Sequence, residues 1–129
     1  MNVNSDDFAY DNGVQLYAKA VYDDACYFKF ETSGNNFLIK NISSTNYVNL
    51  NSYSIQINAT TSSSAAEFVL EYYSQDGGFF KIGTKVKKNH TYYYYWQQVN
   101  SPGVININTD RDNLHPQPQR WKIYKKSSN

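Results

Sequence analysis

Three stretches of the chain open on an apolar–polar–apolar triplet: Val14-Gln15-Leu16, Ile55-Gln56-Ile57 and Ile105-Asn106-Ile107. Each is followed by a polar or small-residue loop, then by a strand that starts on a ring. Those strands are Phe28-Lys29-Phe30, Phe68-Val69-Leu70 and Trp121-Lys122-Ile123. Alternation with period two marks a half-buried strand, because successive side chains point to opposite faces. Between the copies lie two further matching pairs of strands. "NNFLIKN" leads to "NYVNLN" and "GGFFKIGTK" leads to "TYYYYWQQ", each after a turn signal, Gly34-Asn35-Asn36 or Asp76-Gly77-Gly78. No stretch sustains a helical period, and Pro102, Pro116 and Pro118 fall between the strands.

The repeating unit is therefore four short strands, present three times over residues 1–33, 34–75 and 76–126. The first copy is shortened, with "MNVNSDDFAY" in place of its first two strands. Regularly spaced short strands predict an all-β domain spanning 1–129. Threefold repetition of a four-strand unit narrows this to a β-trefoil, in which six strands form a barrel and three hairpins close one end. An immunoglobulin-like or jelly-roll sandwich would account for the strands but not for the repeat.

Composition removes several functions. A chain of 129 residues supports one core and no second domain. Its net charge of +1, from 12 basic and 11 acidic residues, lacks the basic excess of a nucleic-acid or anionic-membrane binder. No apolar run reaches the length of a membrane span. The N-terminal stretch has neither the basic start nor the apolar core of a signal peptide, so a cytoplasmic location is expected; leaderless or processed secretion would give the same sequence. The one cysteine, Cys26, reads as a small buried strand residue. Together with two histidines it supplies no metal set, so no metal or cofactor is expected. Asp23-Asp24 and Asp110-Arg111-Asp112 read as solvated turns. There is no glycine-rich phosphate loop and no nucleophile elbow, and the expectation is a protein that is not an enzyme. The glycosylation sequons at Asn41, Asn58 and Asn89 read as accidents of an Asn-, Ser- and Thr-rich chain.

The third unit ends in Gln119-Arg120-Trp121, a Q-x-W triplet followed by Lys122-Ile123. With the repeat, this resembles the ricin-B-type β-trefoil lectins, whose repeats end in Q-x-W. The resemblance implies that Trp121 fills the core and that Gln119 braces the loop before it. Phe28 and Phe68 stand at the Trp position in the other two units. It also implies a sugar site built from an Asp after the second strand, an aromatic on the third and an Asn before Q-x-W. Here Asn49 and Gln97 match the Asp, and Pro118 precedes Gln119. A second segment, Ser54 to Lys85, is similar to a repeat of the fascin-like actin-bundling trefoils, which end strands in an aromatic-x-aliphatic pair. The fold is common to both families and does not choose between them.

In "TYYYYWQQ", Tyr92, Tyr94 and Trp96 share one face of a strand, and Tyr93 and Tyr95 the other. One face is expected in the core, with the other as an aromatic platform where ricin-type lectins hold sugar. Rings stack on a pyranose while amides bond its hydroxyls. The candidate carbohydrate site is Tyr94, Trp96, Gln97, Asn108, Asp110 and Asn113, with Gln119, Trp121, Phe28 and Phe68 as structural residues. Basic residues gather at Lys85, Lys87 and Lys88 and at Arg120, Lys122, Lys125 and Lys126. They either keep the chain soluble or, if the C-terminal strand lies near the Lys85 loop, form a patch for acidic partners. The expected function is a non-enzymatic carbohydrate-binding module with a glycan partner. The alternatives are a fascin-like actin-binding protein, a protein–protein interaction module or a toxin component.

Overall fold

The computed structural model describes residues 8–13, 15–20, 22–51, 54–87, 91–99, 103–109 and 119–124. Among these the structure is all-β, with two sheets and no helix of seven or more residues. Strands β1 (Phe8–Asp11) and β2 (Leu16–Lys19) form a hairpin. A four-strand antiparallel meander follows: β3 (Phe28–Ser33), β4 (Asn36–Asn41), β5 (Tyr47–Asn51) and β6 (Ser54–Ala59). A second meander repeats it with β7 (Val69–Tyr73), β8 (Phe79–Lys87), β9 (Thr91–Gln98) and β10 (Gly103–Thr109). Strand β1 thus lies within the N-terminal stretch that the sequence left without a strand. The boundaries read at 33/34 and 75/76 both fall in the turn joining the first two strands of a meander.

One kind of contact occurs twice, at matching places in the two meanders. Phe37 of β4 and Phe68, the residue before β7, exchange both main-chain hydrogen bonds at 2.8 Å. Phe80 of β8 and Trp121 do the same at 2.6 and 2.8 Å. Each links the second strand of a meander to the ring that follows that meander.

The strands that carry the three apolar–polar–apolar triplets also meet. Gly103 and Val104 of β10 pair with Ala18 and Tyr17 of β2. Asn106 lies opposite Gln97 of β9 and opposite Ser54 of β6. A bridge between Gln15 and Gln56 joins β2 to β6. The apolar members of the triplets, Leu16, Ile55, Ile57, Ile105 and Ile107, point inward and are buried. Ala18, Ile39, Val48, Phe68, Ile82, Trp96 and Trp121 complete the cluster, and Phe28, Phe30, Leu50 and Leu70 pack against it half-buried. Each full burial of such a side chain contributes about 1.5–3 kcal/mol. Phe28, Phe68 and Trp121 therefore all reach one core.

The turn after β4 is organised by Asn41, which is fully buried. Its Oδ1 accepts from the main-chain N–H groups of Ser43 and Ser44, and its Nδ2 donates to the Ala25 oxygen at 2.7 Å. A side chain so enclosed cannot accept a glycan in the folded chain, and the sequon there has a structural meaning instead. Thr45, in the same turn, takes a left-handed backbone at φ 63°.

Candidate functional site

Trp96 belongs to the core. It is 3% exposed and meets Phe68 edge to face at 5.4 Å and Trp121 edge to face at 6.5 Å. No open face of its indole remains for a sugar. Tyr95, on the opposite side of β9, is 7% exposed, so at this end of the tyrosine run both faces are closed. The cause is a second layer on the outer face of β7–β9. The Tyr95 hydroxyl donates to the Glu71 carboxylate at 3.1 and 3.2 Å, and the Lys81 ammonium lies over its ring at 5.2 Å. Tyr73 also donates to Glu71, at 3.0 Å, and stacks on Phe79, over which Arg120 lies at 4.5 Å.

The Q-x-W triplet grips β9 at two successive residues. Gln119, 3% exposed, donates from Nε2 to Gln97 Oε1 at 3.0 Å. The Trp121 indole N–H donates to the Trp96 oxygen at 3.1 Å. Gln97 is half-buried on the outer face, and its amide nitrogen has no partner among the described residues. In backbone register Asn106 faces Gln97, Asn108 faces Tyr95 and Thr109 faces Tyr94. The side chains of Tyr92, Tyr93, Tyr94 and Asn108, and the whole of Asp110 and Asn113, lie outside the described residues. Of the six sugar-site residues expected, Gln97 is thus found at the surface and Trp96 inside.

The Glu71–Tyr95 contact has a counterpart in the first meander, where the Tyr47 hydroxyl donates to Glu31 Oε1 at 2.8 Å. Glu31 and Glu71 each stand three residues after the unit's ring, Phe28 or Phe68. Tyr47 and Tyr95 each precede a core residue, Val48 or Trp96. Lys40 lies over the Tyr47 ring as Lys81 does over Tyr95. The Glu31 carboxylate holds the Tyr47 phenol above its ordinary pKa of 10.0, with burial adding to the effect. The recurrence of a Glu after the ring was visible in the sequence; its partner was not.

A further polar surface was also written in the sequence without being read as a site. The middle residue of each triplet is an amide: Gln15, Gln56 and Asn106. All three are half-buried on the outer side of the strand junction. Asn58 Nδ2 donates to Gln56 Oε1 at 3.4 Å. The side-chain amides of Gln15 and Asn106 have no hydrogen-bond partner among the described residues. Tyr17 and Tyr10 pair edge to face at 6.2 Å beside them. The nearby Lys19 is held by Asp23 at 2.7 Å, which raises the lysine pKa and lowers that of the aspartate.

Elsewhere the exposed rings among the described residues are Tyr22, Tyr72 and Tyr124. An open cleft of about 180 Å³ lies between Asp11, Gly13, Ala25, Asn41, Ser43 and Ser44, but its polar groups are largely engaged in their own turns. The Phe80–Trp121 bridge sets the C-terminal segment, with Arg120 and Lys122, against β8, the strand that carries Lys85 and Lys87; the side chains of those two, and all of Lys88, Lys125 and Lys126, lie outside the described residues. No group of three His, Cys, Asp or Glu that could hold a metal occurs among the described residues. Cys26 is half-buried at the end of a 3-10 turn, Asp24–Cys26, rather than buried in a strand, and its partial burial pushes the thiol above its ordinary pKa, which disfavours the reactive thiolate. No protein-family model matches the chain, and no curated protein matches it.

Proposed function

We propose that the protein is a non-enzymatic carbohydrate-binding module, a β-trefoil of the ricin-B-like kind, with a glycan held in the third unit at Gln97. The repeated meanders, the paired Phe37–Phe68 and Phe80–Trp121 bridges and the meeting of the three triplet strands support the trefoil. The sugar reading is carried by the Gln119–Gln97 hydrogen bond. It fixes the Gln97 carbonyl from the core side, so the amide nitrogen is oriented before any ligand arrives. A few preplaced neutral polar groups are what a polyhydroxylated ligand requires. A glycan array on the protein and on Gln97→Ala, with melting recorded for both, tests it. Binding that disappears in the variant at unchanged melting supports the reading; an array without signal removes it.

A second reading, an acidic protein surface such as that of actin, is favoured by a different observation. Tyr72, Ile123 and Tyr124 are exposed, and Lys122 is exposed between Trp121 and Ile123. Co-sedimentation with actin filaments, compared with that of a Lys122→Glu, Tyr124→Ala variant, separates it from the first.

A further inference from the structure

We infer that the outer surface where β2, β6 and β10 meet is a second ligand site, in which Gln15, Gln56 and Asn106 take a neutral, hydroxyl-rich ligand with Tyr17 at its edge. The ligand class rests on the carbohydrate-binding reading; Asn106 lies opposite Gln97, so the surface adjoins that first site, and Gln15 and Gln56 are what distinguish it.

The three amides come from distant parts of the chain, and the fold brings them to one place. Gln15 is bridged to Gln56, and directly opposed side chains on paired strands have Cβ atoms about 4.5–5.5 Å apart. Asn106 lies opposite Ser54, two residues from Gln56 on the same face. Each amide is flanked in sequence by buried residues: Leu16 beside Gln15, Ile55 and Ile57 beside Gln56, Ile105 and Ile107 beside Asn106. The backbone beneath the surface is therefore anchored by core packing, the condition for a preorganised site.

The chemistry is specific as well as the place. An outward strand position tolerates any polar residue, yet all three triplets carry an amide there. Each amide offers two N–H donors and one carbonyl acceptor, the complement of hydroxyls that both donate and accept. Neither the Gln15 nor the Asn106 side-chain amide has a partner among the described residues, so both can exchange water for a ligand without first breaking a bond within the protein. The side chains of Gln15, Tyr17, Gln56, Asn58, Val104 and Asn106 are uncharged, and the nearby Lys19 is paired with Asp23, so the surface favours a neutral ligand over an ion. The Tyr17 ring supplies an apolar edge for the carbon face of a pyranose.

The test is a two-dimensional NMR titration of side-chain NH₂ resonances with neutral methyl pyranosides of glucose, galactose, mannose and N-acetylglucosamine. Shifts at Gln15, Gln56 and Asn106 that persist in Gln97→Ala are expected. Affinity at these resonances should fall about tenfold or more when Gln56→Ala and Asn106→Ala are combined. If that pair fails to fold, Gln56→Glu carries the same test, since it keeps the shape and removes the donor. Shifts confined to Gln97 and its cross-strand neighbour Asn106, with Gln15 and Gln56 silent, overturn this site and leave the proposed function standing. Shifts at the three amides alone support it and remove Gln97 as the sugar site. Silence with all four glycosides overturns both, and shifts that follow protein concentration without sugar replace the ligand by a second copy of the chain.

Discussion

The indole N–H of Trp121 donates to the Trp96 main-chain oxygen at 3.1 Å, whereas the indole N–H of Trp96, in the same core cluster, has no hydrogen-bond partner among the described residues. Two tryptophans packed edge to face therefore contribute unequally. One ties the C-terminal segment to the middle of β9. The other leaves a buried donor unsatisfied, which costs about 1–3 kcal/mol.

Trp121→Phe should accordingly destabilise the fold more than Trp96→Phe, by about 1 kcal/mol, since only the first loses a hydrogen bond. Either residue changed to Ala should cost about 3–5 kcal/mol. Urea unfolding of the four variants measures this, and the opposite order for the two Phe variants would show that the bond contributes nothing.

Tyr95 and Tyr72 should behave oppositely. Tyr95→Ala removes a buried ring and its bonds to Glu71, at a cost of about 3–5 kcal/mol. Tyr72 is 62% exposed, and Tyr72→Ala should stay within about 0.5 kcal/mol. Equal effects in thermal melts would contradict the closed outer layer over β9.

The Glu31–Tyr47 contact predicts an alkaline dependence of stability. The folded phenol holds its proton more tightly than the unfolded one, so its contribution is complete below the ordinary value of 10.0. That contribution is lost as pH rises through the higher folded value. Glu31→Gln should return the Tyr47 phenolate titration, followed in the near ultraviolet, toward the ordinary value. No movement would mean that the carboxylate is not the cause.

Thr45→Gly should stabilise the protein by about 0.5–1 kcal/mol. A β-branched residue at φ 63° bears strain of about 1–2 kcal/mol, which exceeds the backbone entropy that glycine adds to the unfolded chain. A lowered melting temperature would show that the Thr45 Oγ1 bond to the Ser44 oxygen outweighs the strain.

Much of the β-structure was legible before any coordinates. Leu16, Ile55, Ile57, Ile105 and Ile107 alternate with polar residues, and alternation is a local property that the chain expresses wherever it is placed. The same pattern located the rings at Phe28, Phe68 and Trp121. The extra strand at Phe8–Asp11 was not legible, because its outward Tyr10 packs on Tyr17 of β2 rather than following a polar alternation.

Only the tertiary structure decided which surfaces are closed and which side chains meet. The sequence put the candidate platform on the face of Tyr94 and Trp96, but Trp96 is core, and on the opposite face Tyr95 is closed by Glu71 and Lys81, which come together once β7, β8 and β9 pair. Gln119 finds Gln97, and Gln15 finds Gln56, through pairings the sequence does not specify residue by residue. The periodicity of a strand fixes which side a residue faces. What stands opposite depends on register and chain reversal, and those are set by the whole core closing at once.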